Sequence, residues 1–171
     1  MNTIVRVSGI VLIAVGVLSG VRAGADTASL TDAEFVYKAS EAGIVEVAMG
    51  RVALEKSKSS GVQRFALVMI ADHDTANDEL KILARKKGLT LVDEAAAADK
   101  AAGIAAGIKK ENFDEAYANN QLKAHEEAVS LFSTAATQLV DADLKAYVTE
   151  KLPKWKHHLK MAIELVAQKE K

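Results

Sequence analysis

The stretch VQRFALVMIADHDTANDELKIL (residues 62–83) decides the fold. Its apolar positions recur at three- and four-residue steps: Val62, Phe65 or Ala66, Met69, Ala76, Leu80 and Leu83. That spacing lays one apolar stripe along an α-helix, which turns once every 3.6 residues. The stripe is interrupted once, by His73. Gly88 stands after the last turn and reads as the stop, because glycine tolerates the left-handed conformation that closes a helix.

Working outward, three more segments show the same pattern. Thr31-Asp32-Ala33-Glu34 is a capping box, in which the threonine hydroxyl and the glutamate carboxylate satisfy each other's backbone N–H groups. It predicts a first helix over about residues 32–58. Ser59-Ser60-Gly61 is a short turn, so the second helix covers about 62–87. Asn112, with Glu115 three residues on, reads as the N-cap of a third helix over about 112–140. Asp141-Ala142-Asp143 is a second tight turn, and a fourth helix follows over about 143–168. Pro153 lies inside it and is expected to kink it. Residues 89–111 form an Ala- and Gly-rich connection with room for a short helix near 94–106. The fold class is all-α: a four-helix bundle of two antiparallel helical hairpins joined by a long crossover connection, as in ferritin-like folds.

Composition agrees. At 50% hydrophobic and 26% charged residues, the 171-residue chain can bury one ordinary core. Its single proline leaves room for long helices. Residues 1–25 read differently: Arg6, an apolar run over residues 7–21, then Ala23-Gly24-Ala25. The run is short for a membrane span of about 20 residues, and the pattern is that of a secretory signal peptide cleaved after Ala25. The domain is then 26–171, exported, with no stable membrane insertion of the mature protein. No cysteine is present to be lipidated or oxidised. Without Arg6 and Arg22 the basic residues fall from 22 to 20 against 23 acids, a net charge of −3. No basic patch suggests nucleic acid as a partner, and the sequence does not name a protein partner.

The four stripes carry the functional signal. The first helix offers Phe35, Ala39, Ala42, Glu46, Met49 and Ala53. The third offers Leu122, His125, Val129, Phe132, Ala136 and Leu139, and the fourth Val148, Trp155, His158, Ala162 and Leu165. Each stripe has one ionisable interruption: Glu46, His73, His125 and His158. In a hairpin, two residues are level when the mean of their numbers falls at the turn. The mean of 46 and 73 falls between Ser59 and Ser60, and that of 125 and 158 between Asp141 and Ala142. One carboxylate and three imidazoles are therefore expected at mid-height in the core.

Two readings of this layer stay open. Glu and His₃ is a donor set that Zn²⁺, Cu²⁺ or Fe²⁺ accepts, so the four residues are candidate ligands of one transition-metal ion. Alternatively, the layer is a hydrogen-bonded set that fixes helix register. Met49 and Met69 should be level with each other one turn away, where thioethers would favour Cu(I) or simply fill space. Asp72 and Glu126 are candidates to orient an imidazole or are plain surface carboxylates. A carboxylate-bridged di-iron centre needs two Glu-x-x-His pairs. Here Ile70 and Trp155 occupy the positions three before His73 and His158, which disfavours it. No nucleophile motif is present.

Several pieces together resemble a known family: Gly43-x-x-Glu46-x-x-x-Gly50, Phe65-Ala66-x-x-Met69-x-x-Asp72-His73-x-x-x-Asn77, Phe113-Asp114-x-x-Tyr117, His125-x-x-x-Val129-x-Leu131-Phe132 and Leu152-Pro153-x-Trp155-x-x-His158. The chain resembles, over about residues 33–166, the exported bacterial family known as domain of unknown function 4142, often labelled an outer membrane protein. The resemblance implies a ferritin-like bundle in the periplasm. It also implies that Glu46, Asp72, His73, His125 and His158 belong to the family's recurring pattern. It implies no activity, and the sequence has no alternating strands to support a barrel.

Overall fold

The structure, a computed structural model, describes residues 29–168. The segment read from the sequence as a signal peptide, residues 1–25, lies outside the described residues. The described chain is all-helical. The helices are α1 (Asp32–Lys56), α2 (Ser60–Lys87), α3 (Glu94–Gly107), α4 (Phe113–Gln138) and α5 (Ala142–Ala167), with a 3₁₀ turn at Lys110–Asn112 before α4. Among the described residues, no helix is long and apolar enough to cross a membrane.

Capping side chains set most of the boundaries. The Thr31 hydroxyl accepts from the Glu34 N–H, and the Glu34 carboxylate accepts from the Thr31 N–H at 2.9 Å. Ser59 caps α2, which therefore begins at Ser60, two residues earlier than the sequence suggested. Gly88 ends α2 with φ 64°, where a side chain would be strained. Asp93 caps α3 and Asp141 caps α5. Asn112 makes no side-chain capping bond, contrary to expectation. The 3₁₀ turn before α4 ends in a backbone bond from the Asn112 N–H to the Lys109 carbonyl. Helix α5 runs on through Pro153 as one element.

Packing pairs α1 with α2 and α4 with α5, and brings α1 against α4 and α2 against α5. Gly43 and Gly50 permit a close approach of α2. A Cβ at Gly50 would lie 2.7 Å from the Ile70 side chain and 3.2 Å from the Ala66 carbonyl oxygen. Polar contacts tie the ends together. The Leu30 N–H donates to Gln138, and the Val140 and Asp141 N–H groups donate to Asp32. Lys87 at the end of α2 pairs with Asp141 and Asp143 at the start of α5. The Lys56 ammonium, at the end of α1, sits over the Phe113 ring at the start of α4.

The apolar core is in two parts. One gathers Met49, Phe65, Met69, Tyr117 and Leu165, and the other Phe35, Leu80, Phe132, Leu144 and Trp155. On α2, α4 and α5 the boundary between the two parts is a histidine: His73, His125 and His158. Two expected core positions fall one residue off. Ala42 and Ala136 are exposed, while Gly43 and Ala135 are buried. The buried arc of α1 is broad because α3 packs on it as well, through Ala97, Ala101 and Ala105 at successive turns.

The approach to α3 is fixed by one buried hydrogen bond, from the Val92 N–H to the Ser40 hydroxyl at 3.0 Å. Ser40→Ala would leave that N–H unpaired. An unmet buried donor costs about 1–3 kcal/mol. The expected result is a loss of that size in urea denaturation, with faster amide exchange concentrated in α3 and the segment before it. Equal exchange in variant and wild type would contradict it.

Candidate metal centre

Three of the four expected residues converge. His73 on α2, His125 on α4 and His158 on α5 are all buried. Their ring centroids are 5.9 Å (His73–His125), 5.6 Å (His73–His158) and 5.6 Å (His125–His158) apart, a near-equilateral triangle. One nitrogen from each lies within 4.8 Å of those of the other two. Donors of a tetrahedral ion bound at 2.0–2.1 Å are about 3.3 Å apart, so a modest contraction would close the set.

Hydrogen bonds orient the rings. The His125 Nδ1 is 2.8 Å from the Gln121 carbonyl oxygen, one turn earlier on the same helix. The His158 Nε2 is 2.8 Å from a carboxylate oxygen of Asp72. A carbonyl and a carboxylate only accept, so each nitrogen facing one must carry the proton. That assigns a lone pair to His125 Nε2 and to His158 Nδ1. These two atoms and His73 Nε2 are buried and find no hydrogen-bond partner among the described residues. Trp155 holds the His73 ring by stacking flat on it, 4.4 Å between centroids and 4° between planes.

Burial governs the electrostatics. It pushes the His125 imidazole down to about 4, against an opposing effect of the Gln121 carbonyl. Burial, then the neighbouring His125 and His158, hold His73 well below the usual imidazole range. Burial also lowers His158, although Asp72 opposes it. All three rings are therefore neutral near pH 7, the state in which imidazole binds a metal. For Asp72, burial would raise the carboxyl, but hydrogen bonds from Lys154 and His158 outweigh it and leave it lowered.

Glu46 is buried at the same level but stands outside the three-imidazole group. Its Oε1 accepts a 3.4 Å hydrogen bond from the Gln121 side chain, and its Oε2 has no partner among the described residues. Burial pushes its carboxyl up to about 7, and the Gln121 bond only partly offsets this. Glu46, His73 and His125 also line a groove of about 510 Å³ between α1, α3 and α4. Met49 and Met69 are fully buried in the apolar part of the core that holds Phe65 and Tyr117. Glu126 and His157 are exposed.

Sequence reasoning missed two residues here. Gln121 touches both Glu46 and His125. The buried Tyr117 hydroxyl has no partner among the described residues, and burial followed by the Glu46 charge raises its ionisation. The signal was present, since residues 117, 121 and 125 fall at four-residue steps on one helix face. The stripe read from the sequence began instead at Leu122, one position away.

The fold and the site define an all-helical protein with a buried cluster of three histidines poised as a candidate metal centre. A family model described as Domain of unknown function (DUF4142) matches residues 19–165, and the chain belongs to that family. No curated protein and no solved structure matches it.

Proposed function

We propose that this protein is an exported, ferritin-like four-helix bundle of the periplasm that holds a single transition-metal ion at its core. The bundle reading rests on how the ends meet. Residues 43 and 50 of α1 lie against 77 and 70 of α2, so numbers rise on one helix as they fall on the other, as in an antiparallel hairpin. The α4–α5 turn touches the start of α1 and the end of α2. The start of α4 touches the end of α1. The link from α2 to α4, with α3 inside it, then runs the length of the bundle as a crossover.

One observation carries the metal reading: three buried imidazoles converge, and on two of them the bonds to Gln121 and Asp72 leave a buried nitrogen, His125 Nε2 and His158 Nδ1, with a lone pair and no hydrogen-bond partner among the described residues. A layer that served only register would be expected to set donors against acceptors, because an unmet buried polar atom costs about 1–3 kcal/mol. Lone pairs from two rings, with the His73 ring beside them, instead suit a cation. The Asp72–His158 bond is the arrangement by which a carboxylate orients a metal-bound imidazole and raises its basicity. His73, His125 and His158 are proposed as ligands of Zn²⁺, Cu²⁺ or Fe²⁺, with Glu46 as the candidate fourth. A single carboxylate at the centre does not suit a bridged di-iron site. A role in metal handling or stress protection in the envelope follows from the proposed location and chemistry.

The test is elemental analysis and competition titration of the mature protein purified without a histidine tag. Binding of one equivalent with submicromolar affinity is expected. If no first-row metal binds more tightly than micromolar, the reading is wrong. A subsidiary prediction concerns Asp72→Asn, which removes the carboxylate charge behind His158. Changes of this kind lower metal affinity about 10- to 100-fold. An affinity equal to wild type would show that the Asp72 carboxylate does not support a metal-bound His158.

A further inference from the structure

We infer that the proposed metal ion keeps one coordination position open to solvent through the groove between α1, α3 and α4, and that this position takes a small anionic ligand. The inference rests on the three-histidine metal reading and extends it from storage to ligand exchange. The groove, about 510 Å³, has Glu46, His73 and His125 among its lining residues, while His158 is not one of them. The imidazoles thus do not close the site evenly. His158 approaches from α5, backed by Asp72 and Lys154 of the far side. The side toward α1 and α4 is the one the groove reaches, through Glu46, His73 and His125.

The walls and rim define what would enter. Val45, Ile104, Ala124 and Ala128 present apolar surface, and small side chains on α4 leave the passage wide. Lys38, Lys100 and Lys123 stand among the groove residues, balanced by Glu41, Glu46 and Glu127. Lys100 is paired with Glu41 at 2.6 Å, and Lys123 reaches Glu127 only at 3.9 Å. A divalent ion held by three neutral imidazoles retains its full charge, which attracts an anion. The groove charges balance, so the attraction for an anion comes from the ion, with Lys123 the lysine least tightly paired of the two that have a carboxylate in reach. The ligand class is therefore a small anion that binds the metal directly, with any apolar body lying along the groove wall.

The test uses the mature protein loaded with one equivalent of copper(II) and titrated with azide. A ligand-to-metal charge-transfer absorption that saturates at one azide per copper is expected. Ala128→Trp, which fills the groove, should keep one copper per chain and weaken azide at least tenfold. Lys123→Glu alters only an exposed side chain and cannot disturb the core, and it should weaken azide about twofold to fourfold. Copper-loaded protein without an azide band, or groove variants that bind azide as tightly as wild type, would overturn the inference. Failure of the wild-type chain to take up copper would instead remove the metal reading itself, and the inference with it.

Discussion

His125→Ala is expected to weaken metal binding by on the order of 100- to 1,000-fold while leaving the helical fold intact. Four-ligand sites in small proteins bind zinc with about 10–16 kcal/mol, so one ligand accounts for about 2.5–4 kcal/mol. His125 is oriented by a backbone group of its own helix. Its Nδ1 is fixed on the Gln121 carbonyl, and its other nitrogen faces His73 and His158. The Gln121 carbonyl lies within α4 and keeps its ordinary helical partner after the change, so no backbone group is stranded. The ring fills space beside Phe65, and its removal leaves a cavity lined partly by polar atoms that water can enter. Competition against a chromophoric chelator measures the affinity, and circular dichroism checks the fold. His157→Ala is the matched control. It removes an imidazole one residue from His158 but exposed, and should change affinity less than twofold. If His125→Ala binds metal within threefold of wild type, any bound ion lies elsewhere.

The site was partly legible because helical periodicity and hairpin arithmetic both fix height. The four polar interruptions at 46, 73, 125 and 158 mark mid-height, and three of them meet in a triangle of nearly equal sides. Neither tool fixes direction around the helix axis. Helix α1 packs against α2, α3 and α4, so "inward" on α1 spans a wide arc. Glu46 uses the part of that arc that faces Gln121. The same imprecision explains Ala42 and Ala136: a stripe stepped by three or four residues drifts against the true 3.6 period and can end one position off.

The connection from α2 to α4 was legible in part: a short helix near 94–106 was expected and α3 lies there, but its packing on α1 was not legible. An alanine in a loop and an alanine packed against a neighbouring helix look alike in sequence. Ala97, Ala101 and Ala105 bury little area each, so they leave almost no periodic signal. The pairing of Asp72 with His158 spans 86 positions and joins α2 to α5. Only the packing of α2 against α5 could reveal it, whereas the caps at Thr31, Ser59 and Asp141 were readable because their chemistry is local.

Glu46→Gln is expected to stabilise the metal-free protein at pH 8 by about 2–3 kcal/mol, and to do nothing at pH 4. The Glu46 carboxyl titrates at about 7 in the folded chain against an ordinary value of 4.5. The folded state therefore holds the proton more tightly than the unfolded state between those values. Stability falls as pH rises through that window, and the penalty is complete above pH 7. A displacement of that size corresponds to about 3 kcal/mol at 1.36 kcal/mol per unit. Glutamine cannot ionise, and its amide oxygen can still accept from Gln121. The buried imidazoles act with the opposite sign: their lowered values destabilise the fold as pH falls below 6.5. That contribution is common to both proteins and cancels in their difference, which isolates Glu46. Urea denaturation with a chelator present, from pH 4 to 8, gives the curve. A difference that does not vary with pH would show that Glu46 is not the strained group. Excess zinc then separates the two roles left to this carboxylate. If it completes the coordination, zinc at pH 8 reverses the order and stabilises wild type more than the variant. If Glu46 stands beside the ion without touching it, zinc raises both proteins alike, and the fourth position belongs to an exchangeable ligand.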